Sequence, residues 1–177
     1  MSTVAKTTEE RDHVDRFLEE LGPELPSLDL EVEGIVDRIG GLTRRFHRSL
    51  DETLAEFGLT NGEWKTLCYL RQAGPPYRRS AGQLSERAEL SSGAMTNRLD
   101  RLEQSGLVRR IPDPDDRRGV QVELTDAGRR AWQDSVSAQA AKEALVAAAL
   151  SDREKRQLNE LLRRMMLEFE RREQARS

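Results

Sequence analysis

A single cysteine, Cys68, among 177 residues excludes an internal disulfide. The two histidines, His13 and His47, stand far apart and have no cysteine or acidic partners at ligand spacing, so no metal site is expected. No apolar run approaches the roughly 20 residues that cross a bilayer, and the opening MSTVAKTTEERDH lacks the apolar segment of a signal peptide. A cytoplasmic protein without a membrane partner is expected. Aromatic residues are only 5% and hydrophobic residues 36% of the chain, enough for a core only if much of the surface is charged. Nowhere does a nucleophile stand beside an oriented base. No catalytic residue, cofactor or enzymatic activity is therefore expected.

What is present in abundance is charge, at 34% of residues. The net value of -3 and a pI near 5.6 would argue against nucleic-acid binding if the charge were evenly spread. It is not. From Arg71 to Arg118 ten arginines face seven acidic residues, a local charge of +3, and the flanks together carry -6. Local distribution governs what a surface attracts.

Helical periodicity dominates both flanks. Thr8 is placed to cap a first short helix with Val14, Phe17, Leu18 and Leu21 on one face, ended by Gly22 and Pro23. Ile35, Ile39, Leu42, Phe46, Leu50, Leu54 and Phe57 then recur at steps of three or four, a stripe that a lone helix must bury against something. Gly58 stops that helix, and Thr60 with Glu63 forms a capping box opening the next, which carries Trp64, Leu67, Cys68 and Leu70. Beyond the middle, Thr125 and Asp126 cap an Ala-rich helix running to about Ala149. Ser151 with Glu154 caps a last one with the stripe Leu158, Leu161, Leu162, Met165, Met166 and Phe169, and the charged tail after it is expected to fray.

Between the flanks the pattern changes. Ser80 starts a short helix with Leu84 and Ala88 inside; Leu90 lies in a turn; Ser91 or Ser92 caps a second helix. On that helix Met95, Leu99 and Leu102 fall within about 60° of one another, an anchoring face. Gly93, Asn97, Asp100, Arg101 and Gln104 point away, with Thr96 and Arg98 on the sides. Gly106 ends it. Leu107, Val108 and Ile111 then begin a strand, the tip Pro112–Gly119 is charged and broken by proline, and Val120, Val122 and Leu124 alternate with Gln121 and Glu123 on the return. Such a hairpin reads as a wing that projects into solvent or a partner, not as core.

A major groove about 12 Å wide admits one helix whose N-terminal residues are short and polar while its other face is held. Ser92, Gly93, Thr96, Asn97, Arg98 and Arg101 meet that description. Arg117 and Arg118 on a narrow hairpin suit a minor groove, and Asp116 beside them can hold a guanidinium in place. The alternative for each set is a solvated helix face or a flexible charged hairpin; their adjacency and shared geometry favour double-stranded DNA.

At these residues the chain resembles the multiple antibiotic resistance regulator (MarR) family of winged helix-turn-helix repressors, over roughly residues 32–170. SSGAMTNRLDRLEQSGLVRR is similar to that family's recognition helix and first wing strand. DPDDRRGVQVELTDAGR is similar to its wing signature, Asp-x-Arg at Asp116 and Arg118 followed by Leu-Thr-x-x-Gly. The resemblance implies a mainly α fold with a small β-wing. It also implies an N-terminal extension at 1–31, a helical dimerisation region at 32–58 and 125–177, and a DNA-binding lobe at 59–124, in one continuous domain. It implies a homodimer on a pseudo-palindromic operator, the wing arginine in the minor groove, and repression relieved by a small anionic or aromatic effector.

For that effector the candidates are Arg44, His47, Arg48 and Trp64; the competing reading makes Trp64 plain core and the arginines a solvated face. The first short helix is similar to an addition in the family's urate-responsive branch but lacks the tryptophan found there. Cys68 sits mid-helix among Trp64, Leu67 and Leu70, where a thiol behaves as an inert small hydrophobe. Two other functions fit the same residues: a dimeric protein-interaction scaffold, and an architectural DNA binder without an effector.

Overall fold

The computed structural model describes residues 10–113 and 119–176. The chain divides into two units, Met1–Asp51 and Glu52–Ser177. The first holds α1 (His13–Leu21) and most of α2 (Leu30–Glu56). Thr8, expected to cap α1, lies outside the described residues, and residues 10–12 are not helical. Asp12 is the cap. Its carboxylate accepts from the Val14 and Asp15 N–H groups at 2.8 and 3.0 Å, and the Asp15 carboxylate accepts the Asp12 N–H at 2.9 Å. Thr8 has Arg11 three residues on, which cannot complete such a reciprocal box. The start of α2 is capped likewise by Asp29, which accepts from Glu31 and Val32.

Arg38 on α2 donates to Asp12 at 3.0 Å and to Asp15 at 2.5 Å, so the two carboxylates that cap α1 also bind it to α2. The Asp15 backbone N–H, opposed by desolvation and joined by Arg38 and the Val14 N–H, holds the Asp12 carboxyl down at about 2.

The second unit begins with the last turn of α2. It continues through α3 (Asn61–Gln72), β1 (Arg78–Ser80), α4 (Ala81–Arg87), α5 (Ser92–Gln104), β2 (Val108–Pro112), β3 (Val120–Leu124), α6 (Asp126–Ala147) and α7 (Asp152–Gln174). Local signals explain most of these limits. Thr60, Ser80, Ser91, Thr125 and Ser151 each accept an N–H three residues on, and Gly58 and Gly106 take φ of +66° and +69° where α2 and α5 end. The expected two-stranded wing is a three-stranded antiparallel sheet in the order β1-β3-β2. Arg78 pairs with Glu123 on one side of β3, and Val108 pairs with Leu124 on the other. Three residues are too few to show a period of two, which is why β1 has no sequence signature.

The core of this unit is Leu54, Leu67, Leu70, Leu84, Met95, Leu99, Leu102, Val108 and Val122, all 2% exposed or less. The hairpin was expected to project as a wing and not to be core, yet its base joins the core: Val108, Val122 and Leu124 are buried, while the distal Val120 is exposed. The Leu-Thr-x-x-Gly run makes the joint between sheet and α6. The Thr125 N–H donates to the Leu107 carbonyl at 3.1 Å, and the Gly128 N–H donates to the Thr125 hydroxyl oxygen at 3.0 Å. A Cβ on Gly128 would lie 2.0 Å from the Leu107 carbonyl oxygen, so only glycine fits. At the far end α7 does not fray after Phe169; it continues to Gln174, with Arg171 and Arg172 paired to Glu168.

Candidate nucleic-acid interface

The helix α5 presents a buried face and an open one. Met95, Leu99 and Leu102 are at most 1% exposed, while Ser92, Gly93, Thr96, Asn97 and Arg101 are exposed and Arg98 is half-buried. Ser91, not Ser92, is the cap. Nothing lies within 4 Å of where a Cβ on Gly93 would be, so no contact within the molecule demands the missing side chain.

Two straps hold α5 from its sides, and neither was foreseen. On the α3 side, Glu63 is 6% exposed and accepts the Arg101 Nε–H at 2.7 Å, the Thr60 N–H at 2.9 Å and the Thr60 hydroxyl at 2.7 Å. Burial alone would raise the Glu63 carboxyl; Arg101 and Thr60 overcome it and hold the group below the usual carboxylate range. One turn earlier, the Arg98 guanidinium lies over Gly62, whose added Cβ would fall 2.7 Å from it. On the wing side, Arg110 of β2 donates to Glu103 at 2.5 Å and to Asp100 at 2.6 Å, and its backbone N–H donates to Glu103 at 2.9 Å. Arg98 and Arg101, expected among the groove-facing residues, thus lean toward α3, and Asp100, expected to face outward, is tied to the wing.

The outer face of the sheet carries a second carboxylate between guanidinium groups. Glu123 was expected on the polar face of β3 and is 6% exposed, accepting from Arg109 of β2 at 2.8 Å and from Arg78 of β1. Burial pushes it up, and Arg78 and Arg109 pull it further down, below the usual range. Nothing in the local sequence marks Glu123 or Arg110, or shows that Glu63 does more than cap α3, because the arginine or carboxylate partners lie on different elements. Asp116, Arg117 and Arg118, the expected wing contacts, lie outside the described residues. Their flanks are described: Asp113 donates its N–H to the Gly119 carbonyl and accepts from the Gln121 amide at 2.5 Å.

Of the effector candidates, Arg44, His47 and Arg48 are exposed on α2, and Trp64 is half-buried with its Nε1–H donating to the Ser135 hydroxyl at 3.1 Å. Cys68 is half-buried; burial pushes its thiol up, opposed by the Trp132 Nε1–H that donates to Sγ at 3.2 Å. A raised thiol is a poor nucleophile at neutral pH. Among the described residues, no helix is long and apolar enough to cross a membrane.

Comparison with known proteins matches this geometry. The model of the MarR family matches residues 59–120, from the start of α3 to β3. The transcriptional regulator PecS of Dickeya dadantii is 33% identical over 142 residues, covering 80% of this chain and 86% of that protein. The YusO protein of Bacillus subtilis has the same fold, with a TM-score of 0.71 at 24% identity over 80% of this chain and 98% of that one. The C80S mutant of E. coli MarR, crystallised in complex with operator DNA, has a TM-score of 0.56 at 29% identity, over 76% of this chain and 95% of that one.

Proposed function

The chain belongs to the MarR family of transcriptional regulators, and from that premise we propose that it is a homodimeric, sequence-specific repressor of double-stranded DNA, released by a small effector. The observation that carries the reading is α5. It is braced on both sides, and its free face opens on a glycine that no internal contact requires. A groove-reading helix needs that combination of rigidity and clearance. Arg117 and Arg118, with Asp116 beside them, act in the adjacent minor groove on the strength of their place in the wing sequence.

Dimer formation is supported by apolar side chains that a lone protomer leaves in water. On α7 these include Leu158, Leu161, Met166 and Phe169, between 44% and 62% exposed. Two lobes at fixed spacing require half-sites about one helical turn, ~10 bp, apart. Relief by an effector is supported by the exposed guanidinium groups of Arg44 and Arg48, with His47 between them on α2, which suit an anionic molecule.

The test is selection of bound genomic fragments by the purified protein, followed by titration at several salt concentrations. Fragments beside its own gene should be enriched, and each phosphate contact should contribute about 0.9 to the slope of log affinity against log salt. Arg118→Ala should weaken binding. No enrichment over random fragments at moderate salt would sink the specific-repressor reading.

A further inference from the structure

We infer that Asn97 is the specificity-determining residue of α5 and that it reads an adenine from the major groove. The inference rests on the proposed DNA-binding function and deepens it. Successive residues of α5 turn by about 100°, so Gly93, Asn97 and Gln104 share the line opposite Met95, Leu99 and Leu102. The charged residues lie to either side of that line. Arg101 is committed through Nε to Glu63, and Arg98 is folded over Gly62. Asp100 and Glu103 are committed to Arg110. Thr96 turns its hydroxyl back to the Ser92 carbonyl at 2.9 Å, which leaves its methyl outward.

Among the described residues Asn97 is exposed and makes no hydrogen bond or ion pair. Its amide offers two donors and an acceptor, the complement of adenine N6 and N7, and the open space over Gly93 one turn earlier lets the helix approach the base edge. Gln104 continues the line about 10 Å further from the N-terminal end that enters the groove. Guanine would call for a guanidinium on this line, and the arginines are held off it. Each half-site therefore contains one A·T pair read by Asn97, and the arginines serve the phosphates and the posture of α5.

The experiment is selection of duplexes from a random-sequence library by the full chain and by its Asn97→Ala variant. It is followed by titration of the wild-type winner with 7-deazaadenine in place of each adenine in turn. The wild type should enrich an A·T pair at one fixed place per half-site. Asn97→Ala should lose the preference there alone, bind the winner about 5- to 150-fold more weakly, and keep the wild-type salt slope. Removing N7 at that adenine should weaken the wild type and leave the variant unchanged. Since the Asn97 side chain is exposed and makes no hydrogen bond or ion pair within the protein, the variant should melt with the wild type. If both proteins enrich the same sequence, or the affected pair is G·C and follows Arg98→Ala or Arg101→Ala, the inference is overturned while DNA recognition stands. If the wild type enriches nothing, both fall.

Discussion

At Gly128 the absence of one methyl group decides whether two elements can meet. Its missing Cβ would sit 2.0 Å from the Leu107 carbonyl oxygen, a backbone atom that no rotamer change can move. Gly128→Ala should therefore destabilise the protein by about 3 kcal/mol, the upper end of the range for overpacking, read as a fall in the thermal midpoint. Gly93→Ala, at an open helical position, should instead gain about 0.5–1 kcal/mol while weakening DNA binding by obstructing the approach. Asp12 sets a different condition. Its folded carboxyl lies at about 2, below the ordinary value, so what it contributes is present at neutral pH and is lost as pH falls from about 4 toward 2. The protection factor of the Val14 amide, corrected for its intrinsic exchange rate, should fall across that window, and in Asp12→Ala it should be low at every pH. A Val14 protection factor indifferent to pH in the wild type would count against this account of how α1 is held.

Between elements, Arg110 is the tie from wing to recognition helix. It gathers Asp100 and Glu103 of α5 onto β2, so one side chain that is 28% exposed ties the hairpin to the helix by two ion pairs. Burial opposes its charge, but Asp100 and Glu103 outweigh that and raise its pKa further. Arg110→Ala should lower stability by about 1 kcal/mol or less, as partly exposed pairs do. Operator affinity should drop further than that stability loss explains, because two freed carboxylates then border the groove face. The salt slope separates this from a phosphate contact: a lost contact would shallow it by about 0.9, and loss of Arg110 should leave it unchanged. Glu63 plays the matching part on the other side through Arg101, and there the capping box and the brace share one carboxylate.

For the whole molecule, the decisive quantity is the number of DNA-binding lobes engaged at once. Leu162 and Met165 on α7 are 38% and 37% exposed in a lone protomer, so lysine at both should spare the protomer's fold and disrupt a dimer built on that stripe. Sedimentation should report a monomer, and operator affinity should fall about 100- to 10,000-fold as the second lobe loses its effective concentration. A double variant that sediments as the wild type does would remove α7 from the interface. The uneven charge belongs to this scale as well. In the proposed dimer a chain of net charge -3 would approach DNA through its +3 stretch, Arg71 to Arg118, presented twice.

The order of the helices, the caps at Thr60, Thr125 and Ser151 and the buried stripe of α5 were legible in the sequence because each depends on residues within a turn or two of one another. Thr60 with Glu63, Ser151 with Glu154, and Met95 with Leu99 and Leu102 are local statements about which N–H groups need partners and which face must leave water. The wing arginines Arg117 and Arg118 are known from that level alone. Tertiary structure decided which polar side chains on α5 remain free. Arg101 was tied through Nε to a carboxylate 38 positions away, Asp100 was tied to an arginine on a strand, and Glu123 of β3 was buried between guanidinium groups from β1 and β2. A charge printed in a sequence has no partner until the chain folds, and the side chains that folding leaves unpaired on α5 are the ones proposed to read DNA.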